Sequence, residues 1–417
     1  MRRRREGRDA SPRGNVRVVD VETGEEVPIS HKVPVGPNHP ILKEPLRIKL
    51  AVRGEEVVDC KVEMGYCHRG IERIMEGMPW QKAAFLAERV CGICSHAHNM
   101  CFIGGVERTA EGEPAPRGLF LRVLVQELDR IQSHLIANAA YFYSIEHETM
   151  FVWNMNTRER VLDCIEEITG NRILTGWNVV GGVRVDVAED QLERVLETLE
   201  KVEEDVKAYR RIAQTDPLIK LRSRGVGVIT KEHVQRYRVV GPQARASGVP
   251  ESDMRLQEPV YPELGFKPVS RKRGDNLARV LVRYDECLQS IDLIERIVDE
   301  LPEGEHRREL EIRGGHVDHR IEAPRGELVY DMELTPGGVV RRVTIRTPSV
   351  PNIRVLEAIA PGAPTIADAV AVYASLDPCV ACNERFVIVD RDRGEILYEG
   401  RAREVMRECS RTTSGRS

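Results

Sequence analysis

The chain of 417 residues lacks four things, and each absence narrows the choices. No run approaches the ~18 consecutive apolar residues that a membrane-spanning helix requires. The arginines at Arg2 to Arg5, Arg8 and Arg13 are not followed by the apolar segment of a signal peptide. They read as a solvated, disordered basic tail over residues 1–15. There is no basic excess: 62 Lys and Arg stand against 66 Asp and Glu, a net charge of −4, which argues against a nucleic-acid partner. There is also no internal repeat and no low-complexity linker, so residues 16–385 read as one domain. These absences predict a cytoplasmic chain that meets a membrane only through partners.

What is present is a globular composition, 41% hydrophobic and 31% charged, long enough for a large core. Short strand-like patterns occupy residues 16–35, and residues 46–63 alternate as a hairpin turning at Gly54. Apolar spacings of three and four predict helices over residues 79–90, 117–144, 191–214 and 276–299. Strand patterns return at residues 327–333 and 339–346, followed by mixed, mostly helical sequence to residue 374. The expectation is an α+β fold, mainly α-helical, with a central bundle of long helices and small β-sheets near the N- and C-terminal ends. Beyond residue 385 the pattern is a strand-like piece, a short charged helix and a Ser/Thr/Arg tail.

Ten cysteines in a cytoplasmic chain argue for metal ligands or packing rather than disulfides. Two pairs stand out, Cys91-Gly-Ile-Cys94 and Cys379-Val-Ala-Cys382. Each can chelate one centre, thiolates favour zinc, iron–sulfur or nickel–iron chemistry, and two pairs complete a four-sulfur site. A structural zinc ribbon usually spaces its pairs by about 15–20 residues. Here residues 95–378 intervene, so one site would join opposite ends of a large fold. The single cysteines (Cys60, Cys67, Cys101, Cys164, Cys287 and Cys409) read as packing residues.

The flanks narrow the choice further. Arg69-Gly-Ile-Glu72 precedes Arg89-Val-Cys-Gly-Ile-Cys-Ser-His-Ala-His98, and Asp377-Pro-Cys-Val-Ala-Cys-Asn-Glu-Arg385 follows far downstream. These stretches resemble the two signatures of the nickel–iron hydrogenase large subunit. Gly36-Pro-Asn-His-Pro40, the segment from Arg122 to Leu135, Gly274-Asp-Asn-Leu-Ala-Arg279 and Glu322-Ala-Pro-Arg-Gly326 resemble the branch shared with the quinone-site subunit of complex I. That relative lacks the four cysteines, so the resemblance points to the energy-converting, membrane-bound group.

The resemblance implies roles residue by residue. Cys91 and Cys379 would be terminal nickel ligands, and Cys94 and Cys382 would bridge nickel to an iron that carries carbon monoxide and cyanide. Glu44 matches the family's proton-gate glutamate, and Cys379 is the thiolate that first takes the proton. Arg325 matches the arginine overhanging the open coordination site, with Asp377 holding it, while His98 would support a cysteine sulfur. Glu72 matches a carboxylate that binds magnesium in some relatives. Arg385 stands where their terminal histidine completes that site, which speaks against magnesium here. The implied activity is reversible hydrogen oxidation and proton reduction coupled to ferredoxin and ion translocation. The implied partners are a small subunit with a [4Fe-4S] cluster, a ferredoxin-type carrier, integral membrane subunits and a maturation endopeptidase that removes residues 386–417. Three other readings compete: a soluble cofactor-reducing hydrogenase, a complex I-like quinone oxidoreductase subunit and a structural zinc scaffold.

Overall fold

The computed structural model describes residues 18–19, 26–27, 31–36, 38, 42, 44–382, 385–389 and 396–401. It is mainly α-helical, with small antiparallel sheets toward both ends, as the sequence pattern predicts. The first sheet joins β1 (His31–Val35), β2 (Arg47–Arg53) and β3 (Glu56–Glu63), with β2 central. Gly54, at φ 63°, makes the turn between β2 and β3. Two helices then flank the first cysteine pair, α1 (Trp80–Glu88) before it and α2 (Ser95–Glu107) after it.

The bundle consists of α3 (Pro116–Ser144), α4 (Glu148–Thr169), α5 (Glu189–Thr215) and α6 (Asn276–Asp299). Their boundaries follow from local chemistry. Pro116 opens α3, where the missing N–H costs nothing. Gly170 closes α4 in the left-handed conformation at φ 79°. The Asp275 carboxylate caps α6 by accepting from Ala278 N at 2.8 Å. Leu124, Leu128, Ile131, Val161, Val206, Leu281 and Ile294 meet in the apolar centre of the bundle.

A second sheet follows: β4 (Gly315–Ala323), β5 (Gly326–Leu334) and β6 (Val340–Arg346), again with the middle strand central. Helix α7 (Ile366–Ser375) delivers the chain to the second cysteine pair. Its N-terminus is capped by the Thr365 hydroxyl, which accepts from Asp368 N. The strand expected after residue 385 pairs with a second one, residues 385–389 against 396–401. The expected charged helix and tail, and the basic segment 1–15, lie outside the described residues.

Two helices escape periodicity. Helix α2 is buried on nearly all sides, from Ser95 through Cys101 to Val106, so it has no polar face to alternate with. Helix α4 buries Asn154, Thr157 and Arg158 while leaving Val152 and Trp153 well exposed, which blurs the pattern it would otherwise show.

Candidate metal centre

The fold brings the two distant cysteine loops into one buried place. Cys91 Sγ lies 3.1 Å from Cys94 Sγ and 3.3 Å from Cys379 Sγ, and all three side chains are buried. The Cys382 side chain lies outside the described atoms. The backbone N–H groups of Ile93 and Cys94 both donate to Cys91 Sγ at 3.4 Å, which favours negative charge on that sulfur. Cys94 donates its S–H to Cys91, and that bond together with burial pushes the Cys94 thiol well above its ordinary range.

Arg69 ties the loops together. Its guanidinium donates to the carbonyls of Arg89, Val90 and Ala381, bridging the first cysteine loop to the second. Its place in a sequence motif does not disclose this job. Nothing local signals a side chain whose acceptors come from both cysteine loops. The second loop is fixed further by Cys379 N, which donates to the buried Ser349 hydroxyl at 2.9 Å.

Arg325 sits at the tip of the β4–β5 hairpin, where Ala323 pairs with Gly326 across a two-residue turn. This tip packs so tightly on Gly241 that a Cβ there would come within 2.2 Å of Arg325 O. Glycine at that point is what lets the hairpin reach the site. Arg325 Nε donates to Asp377 O at 2.9 Å, Nη2 to Asp377 Oδ1 at 3.1 Å and Nη1 to Ser133 Oγ at 3.3 Å. Burial works against its charge, but Asp377 and the sulfurs of Cys94, Cys91 and Cys379 outweigh it and hold the guanidinium charged. Asp377 takes φ 49°, a left-handed conformation that costs a non-glycine residue energy. The grip of Arg325 on both its carbonyl and its carboxylate holds that bend, two residues before Cys379.

Glu44, half-buried, accepts from Ala381 N at 2.7 Å and so stands beside the second loop. Desolvation raises its pKa, and the Cys91 sulfur adds to the rise. His98 is buried, and its Nδ1 meets the Tyr330 hydroxyl at 2.8 Å. A ring nitrogen of His98 comes within 4.8 Å of the Cys91 and Cys94 sulfurs. Burial lowers its pKa to about 4, so the ring is neutral at pH 7. The tyrosine takes Nδ1, and the nearness of the ring to both sulfurs is compatible with the expected support of a cysteine. Glu72 accepts from Ile345 N at 2.7 Å and anchors strand β6. Among the described residues it belongs to no group of three potential metal ligands.

Of the remaining described cysteines, Cys67 is partly exposed and donates to Pro45 O, and the others are buried. Burial pushes Cys60 and Cys164 up to about 12 and Cys101 and Cys287 well above the ordinary thiol range, so they are inert packing groups. Two polar residues of α3, Ser133 and Asp129, act at the site; both lie within the stretch from Arg122 to Leu135 that carries the resemblance, but neither was singled out as a site residue.

Converging buried thiols, a fixed guanidinium and a half-buried carboxyl beside them make a site of the kind that could hold a metal ion. Comparison with known proteins makes this specific. The family described as Respiratory-chain NADH dehydrogenase, 49 Kd subunit, matches residues 145–313 and 307–385, and the family Nickel-dependent hydrogenase matches residues 69–147. One subunit of the F(420)H(2) dehydrogenase of Methanosarcina mazei is 34% identical, over 84% of this chain and 96% of its own length. The membrane-bound hydrogenase subunit alpha of Pyrococcus furiosus is 36% identical, over 88% of this chain and 90% of its own. A chain from the membrane-bound sulfane sulfur reductase, an archaeal respiratory membrane complex, superposes with a TM-score of 0.79 at 29% identity, over 85% of this chain and 98% of that one. The chain belongs to the nickel–iron hydrogenase large-subunit family, in its membrane-bound group related to complex I.

Proposed function

We propose that this chain is the catalytic subunit of an energy-converting nickel–iron hydrogenase. It would oxidise hydrogen and reduce protons reversibly, exchange electrons with a ferredoxin-type carrier and drive ion movement through partner subunits. The observation that carries the reading is the convergence of Cys91, Cys94 and Cys379 in one buried place, with Arg325 fixed on Asp377 beside them and Glu44 at the edge.

The donor set fits the group. Cys91, Cys94, Cys379 and Cys382 would hold nickel, with Cys94 and Cys382 also holding an iron that carries carbon monoxide and cyanide. Such a centre supplies the open coordination positions at which hydrogen is split or formed. The protein contributes the rest. Arg325 fixes positive charge over the sulfurs in a site that excludes water, where that charge acts most strongly. Glu44, at the edge of the site and with a raised pKa, suits the task of accepting a proton from the Cys379 side and passing it to solvent. Glu72 would serve the fold, and magnesium is not needed to explain its position.

No further set of cluster-binding cysteines accompanies the two pairs, so electrons would pass through a small partner subunit with a [4Fe-4S] cluster. No helix among the described residues is long and apolar enough to cross a membrane, and membrane contact would therefore run through integral partner subunits on the cytoplasmic side. The family match ends at residue 385, which suits the proposal that residues 386–417 are removed by an endopeptidase once the metal is in place. Intact mass of nickel-loaded protein tests it: loss of that segment is expected, and a mature mass still including Ser417 would rule it out.

The functional test is an assay of the anaerobically purified complex with reduced ferredoxin or a low-potential dye, and with quinone. Hydrogen evolution that is lost in Cys379→Ala supports the reading. Quinone reduction without hydrogen turnover, unaffected by that variant, contradicts it and makes the chain a complex I-type subunit.

A further inference from the structure

Asp129 lies in the middle of α3, 4% exposed, and its position is unusual for a carboxyl. Oδ1 accepts from Gln132 Nε2 at 2.8 Å, whereas Oδ2 is buried with no hydrogen-bond partner. A buried carboxylate oxygen without a donor is costly, which is why most such groups are paired. The same Gln132 Nε2 donates to Ile93 O, inside the first cysteine pair, at 2.6 Å. Gln132 Oε1 accepts from Arg158 Nε of α4 at 3.1 Å, so the amide orientation is set. The Asp129 carboxyl and the cysteine loop therefore meet at one fixed amide. The charged and titratable groups that act on it are Cys91 from the loop, Arg325 from the hairpin tip, Arg130 of its own helix and Arg158 of α4.

We propose that Asp129 is a proton store for the sulfur cluster: Oδ2 takes a proton from solvent when the centre gains negative charge and releases it when that charge leaves. This rests on the hydrogenase reading. It adds a second protonatable carboxyl on the α3 side, distinct from Glu44 beside the second loop. Electrons enter and leave through the partner subunit, and one O–H bond forms or breaks at Asp129 to balance the charge. The physical basis is that a like charge close by in a poorly solvated place makes the neutral acid the favoured form. Burial, with the Cys91 sulfur adding to it, already pushes the pKa of Asp129 up to about 7, at the balance point for such an exchange. Asp190, Asp253 and Asp318 move the opposite way, each held low by arginine.

That contrast makes the test selective. The whole complex is prepared with carbon-13 aspartate, and infrared difference spectra are recorded across the neutral pH range, oxidised and then reduced under hydrogen. The expected result is one labelled neutral-carboxyl band that fades as pH rises through about 7 and grows on reduction at fixed pH. It should vanish in Asp129→Asn, whose metal-bound carbon monoxide and cyanide bands remain. The wild-type spectrum decides even if the variant does not assemble. Absence of a neutral aspartate band on the acid side of pH 7, or a band indifferent to reduction, overturns the proposal. Absence of carbon monoxide and cyanide bands from the wild type defeats the hydrogenase reading itself, and the redox half of this proposal with it, while the aspartate band is still read independently.

Discussion

Two buried polar regions of this protein lie side by side and are built on opposite rules. One is a network of ions behind the site. Arg245 donates to Glu286 and Glu322, both at 2.6 Å, and lies 3.2 Å from Asp253. Arg255 pairs with Asp253 and Glu127, and Glu127 also accepts from Arg130, Tyr261 and Ser290. His134 completes the network on Glu286 at 2.8 Å. Burial alone would raise the carboxylates Glu127, Asp253 and Glu286, but their arginine neighbours overcome it and hold these three low, while Glu322, on the same arginine, is raised by burial to about 6. The other region is the sulfur site, where Glu44 and Asp129 are raised and Asp129 leaves one oxygen unpaired. Paired charge gives a fixed scaffold. At the sulfur site the raised carboxyls are the groups that would move protons under the proposed function.

Breaking either region should give a different kind of failure. The largest effect is expected for Cys91→Ser or Cys379→Ala. Both should abolish hydrogen turnover and bound nickel while leaving the complex assembled, read by metal analysis of the purified complex. Glu44→Gln should retain metal but lose on the order of 10²–10⁴-fold in hydrogen–deuterium exchange and turnover, the usual worth of a general acid–base group. Arg325→Lys keeps the charge but loses the fork that grips Asp377. A fall on the order of 10²-fold in turnover is expected, with metal content unchanged.

In the network the readout is stability instead. Arg245→Met removes the one guanidinium shared by Asp253, Glu286 and Glu322 in the core. A loss of about 3–5 kcal/mol is expected, seen as a sharply lower melting temperature or failure to accumulate. The last effect is a pH dependence and concerns Glu258, whose pKa burial raises to about 8. In the folded state it keeps its proton between its ordinary value of 4.5 and about 8, whereas the unfolded chain loses it, so stability falls as pH rises through that window. Glu258→Gln removes this dependence. Its melting temperature should match the wild type on the acid side and exceed it progressively up to about pH 8; a constant offset across that range would contradict the assignment.

Much of the site was legible in the sequence because its chemistry is local and uncommon. Paired thiols with two residues between them are such a signal, whereas Arg325, Asp377 and Glu44 were legible only through the family resemblance of the stretches that carry them. The long helices α3, α5 and α6 were legible locally as well, each keeping an apolar stripe. Arg69, Ser133, Ser349 and Asp129 were not. They are common residue types, and what they do at the site appears only once α3, the β4–β5 hairpin and the two cysteine loops are packed together. Helix α2 was missed because burial on every side erases periodicity.

The most direct test of the central claim is infrared spectroscopy of the anaerobically purified complex with metal analysis of the same sample. The account predicts bands of iron-bound carbon monoxide and cyanide together with nickel and iron, all lost in Cys379→Ala. Mature protein that shows no such bands and carries zinc instead would contradict it, and the thiols would then be structural.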